Sequence, residues 1–296
     1  MTCKHKAILN KGTTMSKKTS VQVFFLTLLL MCNSVMAGEQ SDSDLAKKSQ
    51  NPIGNMISLP MQNNSYFGVG PGDEWANSFQ LQPVYPVNFG KINLINRAII
   101  PITYLAGQEF LIPTRVQVRD DFLTFETDSV SGLGNITYQG FLSPAEPGKV
   151  IWGAGPVLQL PTNTDDHLCS DMWSGGFGAV VLTMPGKWVL GFLGYNVWDF
   201  AGPSDEDDVN SFLFQYFINY NLANGWYLSS TPVITADWEK DSDERWTIPF
   251  GLGVGRLVKF GKQPVDFKVQ PFWYAVKPDN GPDWSLQIQV KFIFPK

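Results

Sequence analysis

The last stretch of the chain puts an apolar side chain at every second position, from Trp284 through Leu286, Ile288, Val290 and Phe292 to Phe294. Between them stand Ser285, Gln287, Gln289, Lys291 and Ile293. Strand side chains alternate between faces, so this is a strand with one apolar and one mostly polar side. A soluble sheet would bury the apolar side on a core. Here the chain also opens with an export signal, and an exported strand of this kind ending near an aromatic ring is the pattern of bacterial outer-membrane barrels, whose apolar side meets lipid.

The export signal is read from residues 21 to 35, an apolar run preceded by Lys17 and Lys18 and followed by Met36-Ala37-Gly38. It predicts a signal peptide over residues 1–37, cut after Ala37, for which Met15 makes a better-proportioned start than Met1. Acylation at Cys32 would need a small residue before it, and Met31 is not small. Apart from this run nothing approaches the roughly 20 apolar residues of a membrane helix. Cleavage removes five lysines and no acid, leaving 17 basic against 27 acidic residues, net −10, which excludes the basic footprint of a nucleic-acid binder. Only Cys169 survives cleavage, so neither an internal disulfide nor a thiol metal cluster can form, and no cofactor is expected.

Residues 38–51 are polar throughout and read as a mobile periplasmic leader. From 52 to 296 the chain is a series of alternating segments near 53–62, 78–88, 91–105, 132–143, 149–161, 172–184, 187–200, 209–222, 225–238, 245–259, 264–276 and 283–294. Most reach the roughly 9–11 residues that cross a bilayer at a steep tilt. After residue 88 the connectors alternate. Short ones carry turn residues, as in Met184-Pro185-Gly186-Lys187 and Leu222-Ala223-Asn224-Gly225, and long acidic ones fall between them, as at 106–131, 199–209 and 237–244. The fold expected is therefore all-β: an antiparallel transmembrane β-barrel of about 12 strands, with tight periplasmic turns, long outer loops and both termini periplasmic. Segment 53–62, interrupted by Pro60, is the weakest, and is kept because an odd count would strand one terminus outside. Trp152, Trp173, Trp188, Trp198, Trp226, Trp238, Trp246 and Trp284 stand at or near segment ends, where interfacial girdles belong. A soluble β-domain would not need rings at both ends of its strands.

Alternation also assigns faces. Phe212, Phe214, Tyr216, Ile218 and Tyr220 form one outward row, opposite Ser211, Gln215 and Asn219. By the same rule Asn93, Arg97, Thr137, Gln139, Gln159, Lys268, Gln270, Gln287, Gln289 and Lys291 point inward. An unpaired charge on the lipid face costs roughly 2–4 kcal/mol at mid-depth, which argues for the inward placement of Arg97, Lys268 and Lys291. This lining of amides, hydroxyls and a few cations suits water and neutral or weakly anionic small solutes. The amides could equally bond to one another and fill a narrow interior. Gly251, Gly253 and Gly255 leave one inner row nearly bare, room for a cavity, the leader or an inward loop.

Acidic clusters such as Asp165-Asp166-His167 and Asp205-Glu206-Asp207-Asp208 lack the spaced oxygens and central glycine of a calcium loop. They read as solvated loop tips, at most bridged by divalent cations to lipopolysaccharide phosphates. His167 lies near Asp165, Ser170 and Ser174, so a hydrolytic triad can be drawn, although catalysis needs a positioned base and not nearness in sequence.

Several segments resemble a known group. These are Gln50-Asn51-Pro52-Ile53-Gly54-Asn55 with Ser58-Leu59-Pro60, Gly132-Leu133-Gly134-Asn135-Ile136, Phe141-Leu142-Ser143-Pro144, Leu160-Pro161-Thr162 with Thr164-Asp165-Asp166, Gln215 through Asn221, and Gly261-Lys262-Gln263-Pro264-Val265. Through them residues 50 to 296 resemble the outer-membrane transporter-like proteins of the MetA-pathway-of-phenol-degradation family, often mislabelled neuromedin U. The resemblance implies an outer-membrane barrel with a transport role, and the family name alone points to aromatic or other small hydrophobic compounds. It brings no catalytic residues. Asn135 stands where that family commonly has an aspartate, which removes a carboxylate.

Three functions follow as expectations: a passive channel or uptake protein for small solutes, a lipid-modifying outer-membrane enzyme, and a structural or adhesive barrel with a plugged lumen. The first is the leading reading, and no enzyme activity is expected. The expected partners are outer-membrane lipids and lipopolysaccharide, an unidentified small solute, and the barrel-assembly machinery, which would read Phe294 as the effective end ahead of Pro295-Lys296.

Overall fold

A computed structural model describes residues 39–107, 109–112, 123–126, 129–165, 167–204 and 206–294. The export segment and Pro295-Lys296 lie outside them. The wall is one antiparallel sheet closed on itself. It begins with β1 (Ile57–Val69), then β2 (Glu74–Leu81) and β3 (Val84–Asn88), which share one span, and β4 (Ile92–Leu105). After a separate hairpin, β5 (Glu109–Ile112) with β6 (Leu123–Glu126), the next span is β7 (Val130–Leu133) with β8 (Ile136–Pro144). Then come β9 (Val150–Leu160), β10 (Trp173–Thr183), β11 (Trp188–Ala201) and β12 (Asn210–Asn221). Two more broken spans follow, β13 (Trp226–Ser230) with β14 (Val233–Asp237) and β15 (Trp246–Phe250) with β16 (Gly253–Phe260). The wall ends with β17 (Gln263–Val276) and β18 (Trp284–Phe294). Each span pairs with the next, and β18 returns to β1 from Ile57↔Phe294 to Phe67↔Trp284, giving twelve spans and no free edge. Closure satisfies the wall's backbone groups without water, as lipid surroundings require.

The segment most misplaced in the sequence is the first. Strand β1 begins at Ile57 and runs to Val69 with Pro60 inside it, so the span starts and ends later than 53–62. The Pro60 carbonyl accepts from Gln82 N at 2.9 Å. A residue's N–H and C=O point to the same side of a strand, so the missing N–H of Pro60 faces the break between β2 and β3, and the seam with β18 stays intact. Pro101 repeats the arrangement. Its carbonyl accepts from Gly134 N at 2.9 Å, and the break between β7 and β8 lies opposite. The second span starts at Glu74, earlier than expected, after a four-residue turn in which Gly70 and Asp73 have positive φ.

Outward rows carry the membrane surface. Phe177 is 74% exposed near the centre of β10, and Ile102, Leu158, Phe192 and Ile288 are exposed on other spans. Nine of the ten tryptophans are exposed, and they fall in two sets. Trp75, Trp173, Trp198, Trp238, Trp273 and Trp284 sit toward the loop end, and Trp152, Trp188 and Trp226 toward the turn end. Rings pair across strands within each set: Phe67 with Trp284 at 4.1 Å and Trp75 with Tyr104 at 4.8 Å at one end, Trp188 with Tyr220 at 4.7 Å at the other. Such contacts contribute about 0.5–1.5 kcal/mol each beyond burial.

Residues 39–49, expected as part of a mobile leader, form a helix, α1 (Glu39–Ser49). It is fixed by contacts that a polarity reading does not show. Ala46 is fully buried against inward-facing Leu257 and Ile293. Lys47 Nζ donates to the carbonyls of Met184 (2.7 Å) and Gly186 (2.6 Å) in the turn between β10 and β11. Asp42 pairs with Lys259 on β16. The helix thus lies across the turn end of the barrel.

Candidate functional site

The inward rows of β8 to β12 and those of β12 through β18 to β2 differ in kind. On the first side Phe141, Ile151, Val157, Val180, Leu182, Val189, Leu193, Tyr195, Val197 and Phe217 are buried and pack into one cluster, joined by Ile53 from below. Inward glycines make room for their rings. The Phe141 ring lies over Gly178, and a Cβ on Gly191 would overlap Leu182 and Phe217. On the second side the inward groups are Gln62, Asn64, Gln80, Gln82, Thr231, Asp266, Lys268, Gln270, Ser285, Gln287, Gln289 and Lys291. The interior is therefore half apolar and half polar, where alternation alone predicts mainly amides and hydroxyls with a few cations.

Three cavities follow one another along this interior. One at the loop end, about 540 Å³, is lined by Gln159, Tyr195, Leu213, Thr235, Asp237, Lys240, Arg245 and Thr247 among others. It shares Tyr195, Leu213, Thr235 and Thr247 with an upper cavity of about 520 Å³, which also takes in Gln139 and Gln287. The lower cavity, about 150 Å³, is lined by Asn219, Tyr227, Asp266, Lys268, Gln289 and Lys291, with residues 49–52, Gly54 and Met56 beneath. Upper and lower cavities share Gln62, Gln82, Arg97, Leu193, Gln215 and Thr231, which form the waist between them. Arg97 is oriented there by a 2.6 Å hydrogen bond to Gln82 Oε1.

Of the residues picked from sequence, Arg97 and Gln215 stand at the waist. Asn219, Lys268, Gln289 and Lys291 line the lower cavity, Gln139 and Gln287 the upper, and Gln159 the loop-end cavity. Two do something else. Asn93 is buried near the turn end and accepts from Asn88 Nδ2 at 2.7 Å. Gln270 is fully buried and mends the wall: its Oε1 accepts from Thr231 Oγ1 at 3.0 Å and its Nε2 donates to the Gly251 carbonyl at 3.3 Å.

Asp266 and Tyr227 were not picked from sequence. Asp266 shares the parity of Lys268, and that signal was available. Its carboxylate accepts from Tyr227 Oη at 2.9 Å and pairs with Lys291 at 3.2 Å, and Lys291 also donates to the Ser49 carbonyl of α1 at 2.7 Å. The bare glycine row opens no cavity of its own, because the Tyr227 ring occupies the space over Gly255.

The wall is thinnest between the ninth and tenth spans. Ladder pairs run from Trp226↔Arg256 to Ser229↔Gly253 and resume at Thr235↔Thr247, so residues 230–234 and 248–252 are unpaired with each other. Side chains take over there. Ser230 Oγ donates to the Gly251 carbonyl at 2.7 Å, and Gln215 Nε2 to the Thr231 carbonyl at 3.1 Å.

The drawn triad is not assembled. His167 Nδ1 lies 2.8 Å from Asp165 Oδ1 on an exposed loop, Ser170 Oγ donates to Glu206 at 3.2 Å, and Ser174 is buried on an inward row. Among the described residues no hydrogen bond joins His167 to either serine, and no three His, Cys, Asp or Glu side chains converge as metal ligands. The Asp165 carboxyl is held below its usual range, first by the backbone N–H of His167 and then by the ring. Asn135 Nδ2 donates to the Ser170 carbonyl at 2.7 Å, while its Oδ1 accepts from the backbone of Thr162 (3.2 Å) and Asn163 (3.3 Å). The residue thus ties the loop after β9 to the break in the fourth span.

A closed twelve-span wall with an apolar exterior and two aromatic sets defines an outer-membrane β-barrel. No protein-family model and no curated protein matches the chain. Among solved structures it is similar to the COG4313 outer membrane channel from Pseudomonas putida F1, with 16% identity and a TM-score of 0.57 over 82% of this chain and 97% of that one. Looser overlaps are found with the Salmonella typhi outer membrane phospholipase dimer (12% identity, TM-score 0.39, covering 88% and 99%) and the CymD monoaromatic hydrocarbon channel (11%, 0.38, 86% and 90%).

Proposed function

We propose that this barrel passes small solutes with an apolar body across the outer membrane, and that it belongs with the transporter-like proteins of the MetA-pathway-of-phenol-degradation family. The observation that carries the reading is the two-sided interior. A solute with a ring and a polar substituent can keep each part against a matching wall around the waist, where Leu193 and Phe217 face the polar row, so neither is stripped of favourable contacts. The two cavities it would enter first, about 540 and 520 Å³, fall within the roughly 300–1,000 Å³ usual for small-molecule sites. In this reading the turn end faces the periplasm and residues 49–56 form a floor that must move for passage. Lipopolysaccharide surrounds the loop end, and the assembly machinery reads Phe294.

The test is uptake by cells with and without the chain, using radiolabelled benzamide and, as a polar control, arabinose. The chain should raise the initial rate for benzamide more than for arabinose. Equal rates with and without it, together with no conductance of the refolded protein in planar bilayers, would remove the channel reading. That outcome would favour a plugged structural barrel, to which the floor of residues 49–56 also lends itself.

A further inference from the structure

The waist and lower cavity hold more cationic than anionic side chains, and their cations are not all matched. Lys291 is paired with Asp266. Lys268, two residues along β17, makes one hydrogen bond, to Thr231 Oγ1 at 3.1 Å, and has no carboxylate partner among the described residues. Among the described residues Arg97 is likewise bonded only to the neutral Gln82. Both line the lower cavity and are half-buried inside the wall. A charge in such a place is costly unless a counter-charge or several hydrogen bonds meet it. The same cavity is also walled by Leu193 of β11 and Phe217 of β12. Its volume of about 150 Å³ is the size of an engineered apolar cavity known to take up benzene.

We propose that the lower cavity and waist form a binding site for a small organic anion with a single ring, of the benzoate type. Its carboxylate would sit against Lys268 and Arg97, and its ring against Leu193 and Phe217. Lys268 is free to swing from Thr231, and Arg97 presents a fork suited to a carboxylate. The polar row also leaves a donor to spare, since the Ser229 hydroxyl, buried on the cavity wall, makes no hydrogen bond within the described protein. This inference rests on the channel reading for its biological use, but the site can bind whether or not the barrel conducts.

Isothermal titration of the purified full chain in detergent with benzoate and with its neutral near-isostere benzamide tests it. Benzoate should bind about tenfold or more tightly than benzamide, the difference expected of charge-assisted bonds. Lys268→Met and Arg97→Met should each remove most of that preference. Lys268→Arg should keep it, and Leu193→Asn should weaken both probes alike. Folding of each variant is checked by heat-modifiable migration on gels. Equal affinities for the two probes, no binding of either, or folded Lys268→Met and Arg97→Met proteins that bind benzoate as the parent does would each overturn the proposal. Benzoate binding with no uptake of either probe by cells would instead sink the channel reading and leave the site standing.

Discussion

The Tyr227, Asp266 and Lys291 chain offers the sharpest energetic test. Asp266 is 1% exposed, and its two oxygens are met by one hydroxyl and one ammonium, at 2.9 and 3.2 Å. Replacing Lys291 by methionine keeps an unbranched side chain one atom shorter but leaves the carboxylate with Tyr227 alone, and it also frees the Ser49 carbonyl that Lys291 holds at 2.7 Å. Removing one member of a buried pair costs about 3–5 kcal/mol, and the lost bond to the carbonyl belongs to the charged class, about 1.5–3 kcal/mol. The cavity beside the pair admits water and lowers both figures, so Lys291→Met should destabilise by about 3 kcal/mol in all. Asp266→Asn should cost less, about 1–2 kcal/mol, because an amide oxygen can still accept from Tyr227. The double variant contains no stranded charge and should be more stable than Lys291→Met, with a coupling of about 1.5 kcal/mol or more. Equilibrium urea unfolding in micelles, followed by tryptophan fluorescence, gives all four corners of the cycle. A coupling below about 0.5 kcal/mol would refute the argument that the two charges stabilise each other.

Other expectations are simpler. Phe177→Arg places a charge near the middle of the outward face of β10 and should cost about 2–4 kcal/mol when folding into lipid vesicles is compared with the parent; no cost would mean that face does not meet lipid. Asn135→Asp keeps the two bonds accepted from Thr162 and Asn163 but cannot donate to Ser170, so proteolysis in the loop after β9 should quicken while the barrel's migration on gels stays unchanged. Asp165 should titrate below the ordinary aspartate range by NMR. Since its folded pKa is depressed, the stability it contributes is present above the unfolded value of about 3.9 and is lost as pH falls through the folded one. His167→Ala should move it only part of the way back, because the backbone N–H remains. Phe294→Ala should slow assembly, and normal insertion of that variant with altered insertion on deleting residues 295–296 would show that the ring is not what is read.

The wall was legible because its determinants are local. Period-two alternation and the contrast of short with long connectors put ten of the twelve spans within about two residues of their observed bounds. They failed at β1, where a proline looks like a breaker until the missing N–H is seen to face a gap in the neighbouring strand. The leader helix was hidden for a related reason. Its stability comes from Ala46 on Ile293 and from Lys47 on the carbonyls of a turn about 140 residues away, and neither contact leaves a mark in the leader's own composition. For the interior, parity said which residues point inward, and it placed nine of the eleven chosen ones on a cavity. It could not say which inward residues are consumed by neighbours. Gln270 and Asn93 are, and the pairing of Asp266 with Tyr227 depends on Gly255, on the strand between them, leaving room for the Tyr227 ring.

The thin seam between the ninth and tenth spans has a consequence for how such a barrel can change over time. Where backbone pairing lapses, Ser230, Gln270 and Gln215 act as mortar, and two of these three also belong to the polar side of the interior. A substitution there that altered which solute is preferred would at the same time loosen the wall. Leu193 and Phe217 hold no wall backbone by hydrogen bonds, since they pack within the apolar cluster. Divergence in solute preference among barrels built this way should therefore concentrate on the apolar half, while the polar half drifts slowly under a structural constraint that has nothing to do with what passes through.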